Sequence, residues 1–109
     1  MTIDEILVST LSPIVPELEP NRYSGTATEY LVWNYNILPS VFADSRPHAA
    51  RYLVQVHWFL PHEVNPVEKR AEICQSLFDA GLTYPSIINA SDKDGQHYVF
   101  ECEFCDGGV

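Results

Sequence analysis

The chain has 109 residues, enough for one domain with a real core and too few for a second. Its 46% hydrophobic and 12% aromatic content excludes a wholly disordered chain. A net charge of −9, from 15 acidic and 6 basic residues, argues against a reader of duplex DNA or RNA and against an anionic membrane surface. The basic residues Arg22, Arg46, Arg51, Lys69, Arg70 and Lys93 are scattered, whereas phosphate binding needs them clustered.

Thr2-Ile3-Asp4-Glu5 reads as a capping box, with Ile3, Ile6, Leu7 and Leu11 on one face of the helix it opens. Pro13 ends that helix near Ser12. The acidic start is unlike a signal peptide, so folding in the cytoplasm is expected. Ile14 to Pro20 is proline-rich and can form an extended edge segment but not a central strand. Thr28 to Leu38 alternates, with Leu31, Trp33, Tyr35 and Ile37 on one face and Tyr30, Val32, Asn34 and Asn36 on the other. Pro39 to His48 is expected to be a loop, longer than the ~2–5 residues of a usual hairpin connection.

Arg51 to Leu60 is the third extended element. Tyr52, Val54, Val56, Trp58 and Leu60 face the core, and Arg51, Gln55 and His57 lie opposite. After the Pro61–Pro66 loop, Asn65 caps a helix with Pro66 at its first position. Val67, Ala71, Cys74 and Phe78 repeat at the helical period, and Ile73 and Leu77 widen the stripe. Gly81 is placed for a left-handed C-cap. The closing stretch is a hairpin. Asp94-Gly95 offers residues that tolerate positive φ. Tyr98, Phe100, Cys102 and Phe104 then alternate with His97, Val99, Glu101 and Glu103. The expected architecture is a single α+β domain over residues 1–109, a mostly antiparallel sheet with two helices packed on one face, in the order α-β-β-α-β-β with an added edge segment.

Candidate chemistry is sparse. Cys102 and Cys105 lie three apart in a strand and point to opposite faces, so they make a poor metal or redox pair. Asp92, Asp94, Gly95 and Glu101 match part of a calcium-loop pattern, but its first ligand position is Ala90 and its flanks are strands. No metal and no cofactor are expected. His48, His57, His62 and His97 form no motif with a nucleophile and a carboxylate, and no glycine-rich phosphate loop is present, so an enzyme is not expected. Large residues on both strand faces exceed what helices on one face can cover. Tyr30, Val32, Leu53 and Phe59 are the surplus, and an oligomer would cover them. In the long loop, apolar Val41 and Phe42 beside charged Asp44 and Arg46 mark an assembly surface, to which Tyr30, Val32 and Phe59 are added.

The pattern as a whole resembles the small tail-completion, or tail-terminator, proteins of long-tailed phages and prophages. The matching residues are Met1-Thr2-Ile3-Asp4-Glu5-Ile6-Leu7, Arg22-Tyr23-Ser24-Gly25-Thr26-Ala27, Phe42-Ala43-Asp44, Arg51-Tyr52-Leu53-Val54-Gln55-Val56-His57 and Ala90 through Glu103. The resemblance implies a subunit without enzymatic activity that assembles with copies of itself into a ring, commonly hexameric, at the head-proximal end of the tail tube. Its partners would be the tail tube protein and the head–tail connector, with no sequence-specific nucleic acid and no membrane. Its place would be the virion tail or neck, after synthesis in the cytoplasm of the bacterial host. A head–tail connector of the neck and a stand-alone small binding module are the alternatives.

Overall fold

A computed structural model describes the backbone of residues 2–43 and 46–106 and the side chains of 2–38 and 50–105. The elements are α1 (Ile3–Leu11), β1 (Leu18–Pro20), β2 (Tyr30–Ala43), β3 (Arg46–Leu60), α2 (Val67–Asp79), β4 (Ser86–Asn89) and β5 (Gln96–Asp106). They build one five-stranded sheet in the order β1-β2-β3-β5-β4, antiparallel except for the parallel β1–β2 pair. This is the α+β arrangement expected from the pattern, with both helices on the same face.

Helix α1 forms for the reason legible in its first residues. The Thr2 hydroxyl accepts from the Glu5 amide, and the Glu5 carboxylate accepts from the Thr2 amide, so two otherwise unpaired donors are satisfied. Ile3, Leu7 and Leu11 are buried against the sheet. The segment after it leaves a three-residue edge strand whose register pairs Leu18 with Leu31 and Pro20 with Trp33. Proline fits there because an edge strand need not donate outward.

The covered face of the sheet carries Leu31 and Trp33 from β2, Val54, Val56, Trp58 and Leu60 from β3, and Tyr98, Phe100 and Cys102 from β5. Ile73, Cys74 and Leu77 of α2 close over them. Trp58, Val56, Phe100, Ile73 and Leu77 are fully excluded from water. Two carboxylates pin the polar edges of this layer. Asp4 accepts from the Trp33 indole and the Tyr35 hydroxyl, each at 2.9 Å. Glu29 accepts from the Trp58 indole at 3.0 Å and from Lys69 of α2 at 2.9 Å. Gln96 donates to the carbonyls of Pro61, His62 and Val64 and so templates the turn before α2.

Five local expectations are corrected. The segment 39–48 is not a loop: β2 runs on to Ala43 and β3 begins at Arg46, paired as Phe42↔Pro47 and Ala43↔Arg46. Register shifts between Pro39 and Phe42 absorb the proline, which an uninterrupted ladder would exclude. Helix α2 opens at Val67, not Pro66; Pro66 is its N-cap, and the Asn65 side chain still accepts from the Val67 amide at 3.0 Å. Its buried face is centred on Ile73 and Leu77, so Val67 and Phe78, 55% and 51% exposed, fall outside the core. Phe78 meets Tyr84 edge-on instead. Ile37, expected on the core face, is exposed because β2 has by then passed beyond the helices.

The last correction concerns the β4–β5 turn. Neither Asp94 nor Gly95 takes a positive φ. The Asp92 carboxylate accepts from the Asp94 amide, and Asp92 bridges Gly95. Gly95 is needed for closeness, since a Cβ there would lie 3.1 Å from the Leu60 carbonyl. The positive φ near a helix end belongs to Gly81, at 102°, where the Leu82 amide donates back to Leu77.

Candidate assembly surface

The strand register lays out the opposite face of the sheet in rows. The first row is Tyr30–Phe59–His97, the second Val32–His57–Val99–Ile88, the third Asn34–Gln55–Glu101–Ser86 and the fourth Asn36–Leu53–Glu103. No helix crosses this face. Its only cover among the described residues comes from the segment between β1 and β2, where Tyr23 folds onto Tyr30. That segment is held by its own contacts. The Ser24 amide donates to Glu19 at 2.8 Å, the Ala27 amide donates to the Tyr23 hydroxyl at 3.0 Å, and that hydroxyl donates to Glu17.

The first row is a continuous stack of rings. Centroid separations are 4.1 Å for Tyr23–Tyr30, 4.8 Å for Tyr30–Phe59 and 4.1 Å for Phe59–His97, with interplanar angles of 9°, 21° and 18°. The rings stand on the sheet face to face and turn their edges outward. Diagonally behind them, His57 Nδ1 lies 2.9 Å from His97 Nε2, and Asn34 Nδ2 lies 3.4 Å from His57 Nε2. Burial holds the His57 pKa below its ordinary value, with Glu101 partly opposing. Burial and the neighbouring His57 lower that of His97, with Asp92 opposing.

Farther along, the face turns polar. Gln55 donates to Glu101 at 2.8 Å, and a trough of about 450 Å³ lies between Asn34, Asn36, Gln55, Glu101 and Glu103. A shallow cavity of about 360 Å³ lies over Tyr30, Val32, His57 and Phe59, walled by Arg22 and Tyr23.

The residues marked from sequence as an assembly surface lie, as far as they are described, toward the two ends of the β2–β3 hairpin. Tyr30 and Phe59 are direct cross-strand partners. Val32 lies in the next row and is buried, 8% exposed, beneath its neighbours. Val41, Phe42 and Arg46 are at the other end of the β2–β3 hairpin, roughly 30–40 Å away along the strands. Their side chains lie outside the described residues, as does all of Asp44. Sequence alternation put His57 and His97 on polar faces but did not pair them. Their contact depends on a diagonal across β3 and β5, which only the register supplies.

The remaining candidate chemistry is dispersed. Cys102 is buried on the covered face, where burial and the nearby Cys74 push its thiol up to about 12, while Cys105 is exposed. Glu101, the last position of the calcium-like pattern, lies on the open face bonded to Gln55, apart from the Asp92–Gly95 turn. Among the described residues no group of three or more His, Cys, Asp or Glu is placed to hold a metal ion, and no helix is long and apolar enough to cross a membrane. No protein-family model matches the chain, and no curated protein matches it.

Proposed function

We propose that this chain is a structural subunit of a phage or prophage tail that completes the tail as a self-assembled ring on the head-proximal end of the tube. The observation that carries the reading is the β2–β3 hairpin. Its strands run 14 and 15 residues, while the edge strands β1 and β4 have three and four and β5 has 11. Among the described residues, β5 accompanies β3 as far as the Ala50↔Asp106 pair. Beyond it the hairpin continues as a two-stranded arm, and the molecule measures 54 × 26 × 23 Å. A two-stranded ribbon in water is marginal unless something packs on it. An arm of this kind supports contact with a neighbouring subunit or the tube. The open face at the hairpin's base supplies a second apolar and aromatic surface. Two surfaces at opposite ends of one element suit head-to-tail contacts, which close into a ring when the rotation between subunits permits.

The reading assigns the chain no reaction. Its partners are copies of itself, the tail tube protein and the head–tail connector, and its place is the tail or neck of the virion. The acidic balance suits a ring wall past which DNA slides without sticking.

The test is direct. Purified chain is examined by native mass spectrometry and electron microscopy, alone and mixed with tail tubes lacking their own terminator. Rings at one end of the tube, hexameric by symmetry, are expected. Tubes that stay uncapped with a monomeric chain would overturn the proposal.

A further inference from the structure

The contact between His57 and His97 has a directionality that the rest of the open face lacks. The two nitrogens are 2.9 Å apart and the ring centres 5.2 Å. The centres exceed the nitrogens by about one ring diameter, so the nitrogens meet head-on, the geometry of an N–H···N hydrogen bond. One proton fits between them, and two do not.

The neighbours fix where the other protons sit. The Asn34 amide nitrogen can only donate, so His57 Nε2 accepts and the His57 proton is on Nδ1. That proton is donated to His97 Nε2, which leaves the His97 proton on Nδ1. We propose that Asn34, His57 and His97 form a one-proton switch on the open face: a first added proton is held within the intact pair, and a second drives the two rings apart and breaks the stack of His97 on Phe59.

The first proton has one free destination that spares the shared bond, His57 Nε2, once the Asn34 amide turns to present its oxygen. The second must go to His97 Nε2. There it would set two N–H groups and two charges against each other at 2.9 Å. The groups facing the pair divide. Glu101 of β5 and Asp92 of the adjoining turn favour charge. Burial opposes it, and Arg22 walls the cavity over His57. Val32, Phe59, Tyr30 and Tyr23 also line the cavity over His57, and Glu63 and Asp94 line the one beside His97. Strand β3 thus holds a side chain whose hold on β5 is released by acid. The device operates in the isolated chain and does not rest on the proposed ring.

The test is a pH titration of the uniformly ¹⁵N-labelled monomer, read at the imidazole nitrogens by long-range proton–nitrogen correlation. A free histidine peptide serves as the reference, and the buried tryptophan indoles report the fold. Near pH 7.5 the expected spectrum has both Nδ1 atoms protonated and both Nε2 atoms bare. On acidification His57 Nε2 gains its proton first. The second protonation follows at an acidity at least about tenfold higher, and the Phe59–His97 ring contacts disappear with it. In Asn34→Ala the first step moves toward higher pH while the gap between the steps persists. In His57→Gln the remaining His97 titrates in a single step. Two independent curves coinciding with that of the free histidine peptide would overturn the proposal. So would double protonation with the Phe59–His97 contacts intact, or global unfolding before the second proton binds. If His57→Gln does not fold, the native and Asn34→Ala titrations decide alone.

Discussion

Trp58 and Phe59 are adjacent in sequence and sit on opposite faces of the same sheet. Trp58 is wholly buried, flanked by Tyr98 and Phe100, with its indole donating to Glu29. Phe59 is half-buried, sandwiched between Tyr30 and His97. On the covered side two helices exclude water, and every polar group that goes under is met: no buried side-chain nitrogen or oxygen among the described residues lacks a partner. On the open side aromatic rings stack face to face, and burial lowers the pKa values of a histidine pair. Stability is concentrated on the first face. The second is left able to meet something else.

The comparison breaks most forcefully at Phe100. Replacement by Ala on the covered face should cost about 3–5 kcal/mol in urea-induced unfolding, because the cavity is enclosed on all sides. Leu77→Ala should follow at about 2–4 kcal/mol. A loss below 1 kcal/mol at either site would mean that the helices do not seal this face. Asp4→Ala should cost about 1–3 kcal/mol, since it strands the Trp33 indole and Tyr35 hydroxyl together. Tyr35, whose ionisation Asp4 holds above the usual phenol value, should then titrate at lower pH, which ultraviolet difference spectra would register.

On the open face the effects shrink. Phe59→Ala should cost only about 1 kcal/mol, because water already reaches that ring. A loss matching that of Phe100 would show the open face to be a second core. Acid should act through the histidines. Both have pKa values lower folded than unfolded, so the unfolded chain binds more protons below about pH 6.5. Their contribution is complete above that pH and is lost as pH falls toward and through the folded values. Urea midpoints measured from pH 7.5 to 5 should fall accordingly, and should fall less in His57→Gln. The smallest effect on stability is expected from the double change Phe42→Ser with Arg46→Glu on the hairpin arm. Its urea midpoint should match the native chain's, while rings on tail tubes are lost. A lowered midpoint would place Phe42 in the subunit's own core.

Alternation along β3 and β5, the capping box at Thr2 and the left-handed Gly81 were all legible in the sequence. Each rests on local geometry: which side a strand residue faces, which atom a hydroxyl can reach, which backbone angles a residue tolerates. Those features were enough to set the α+β class and most of the covered core. The rotation of α2 was not. Its apolar residues spread over a wide arc, and only packing chose Ile73 and Leu77 over Val67 and Phe78. The continuation of the hairpin through 39–43 and 46–48 was hidden by Pro39 and Pro47, which read as breakers until strand pairing with a register shift accommodates them. The His57–His97 contact joins residues 40 positions apart. It exists because β3 and β5 pair with His57 opposite Val99 and Phe59 opposite His97, a register fixed by the helices burying the other face. Local chemistry determined which side chains face together. Long-range packing decided which of them touch.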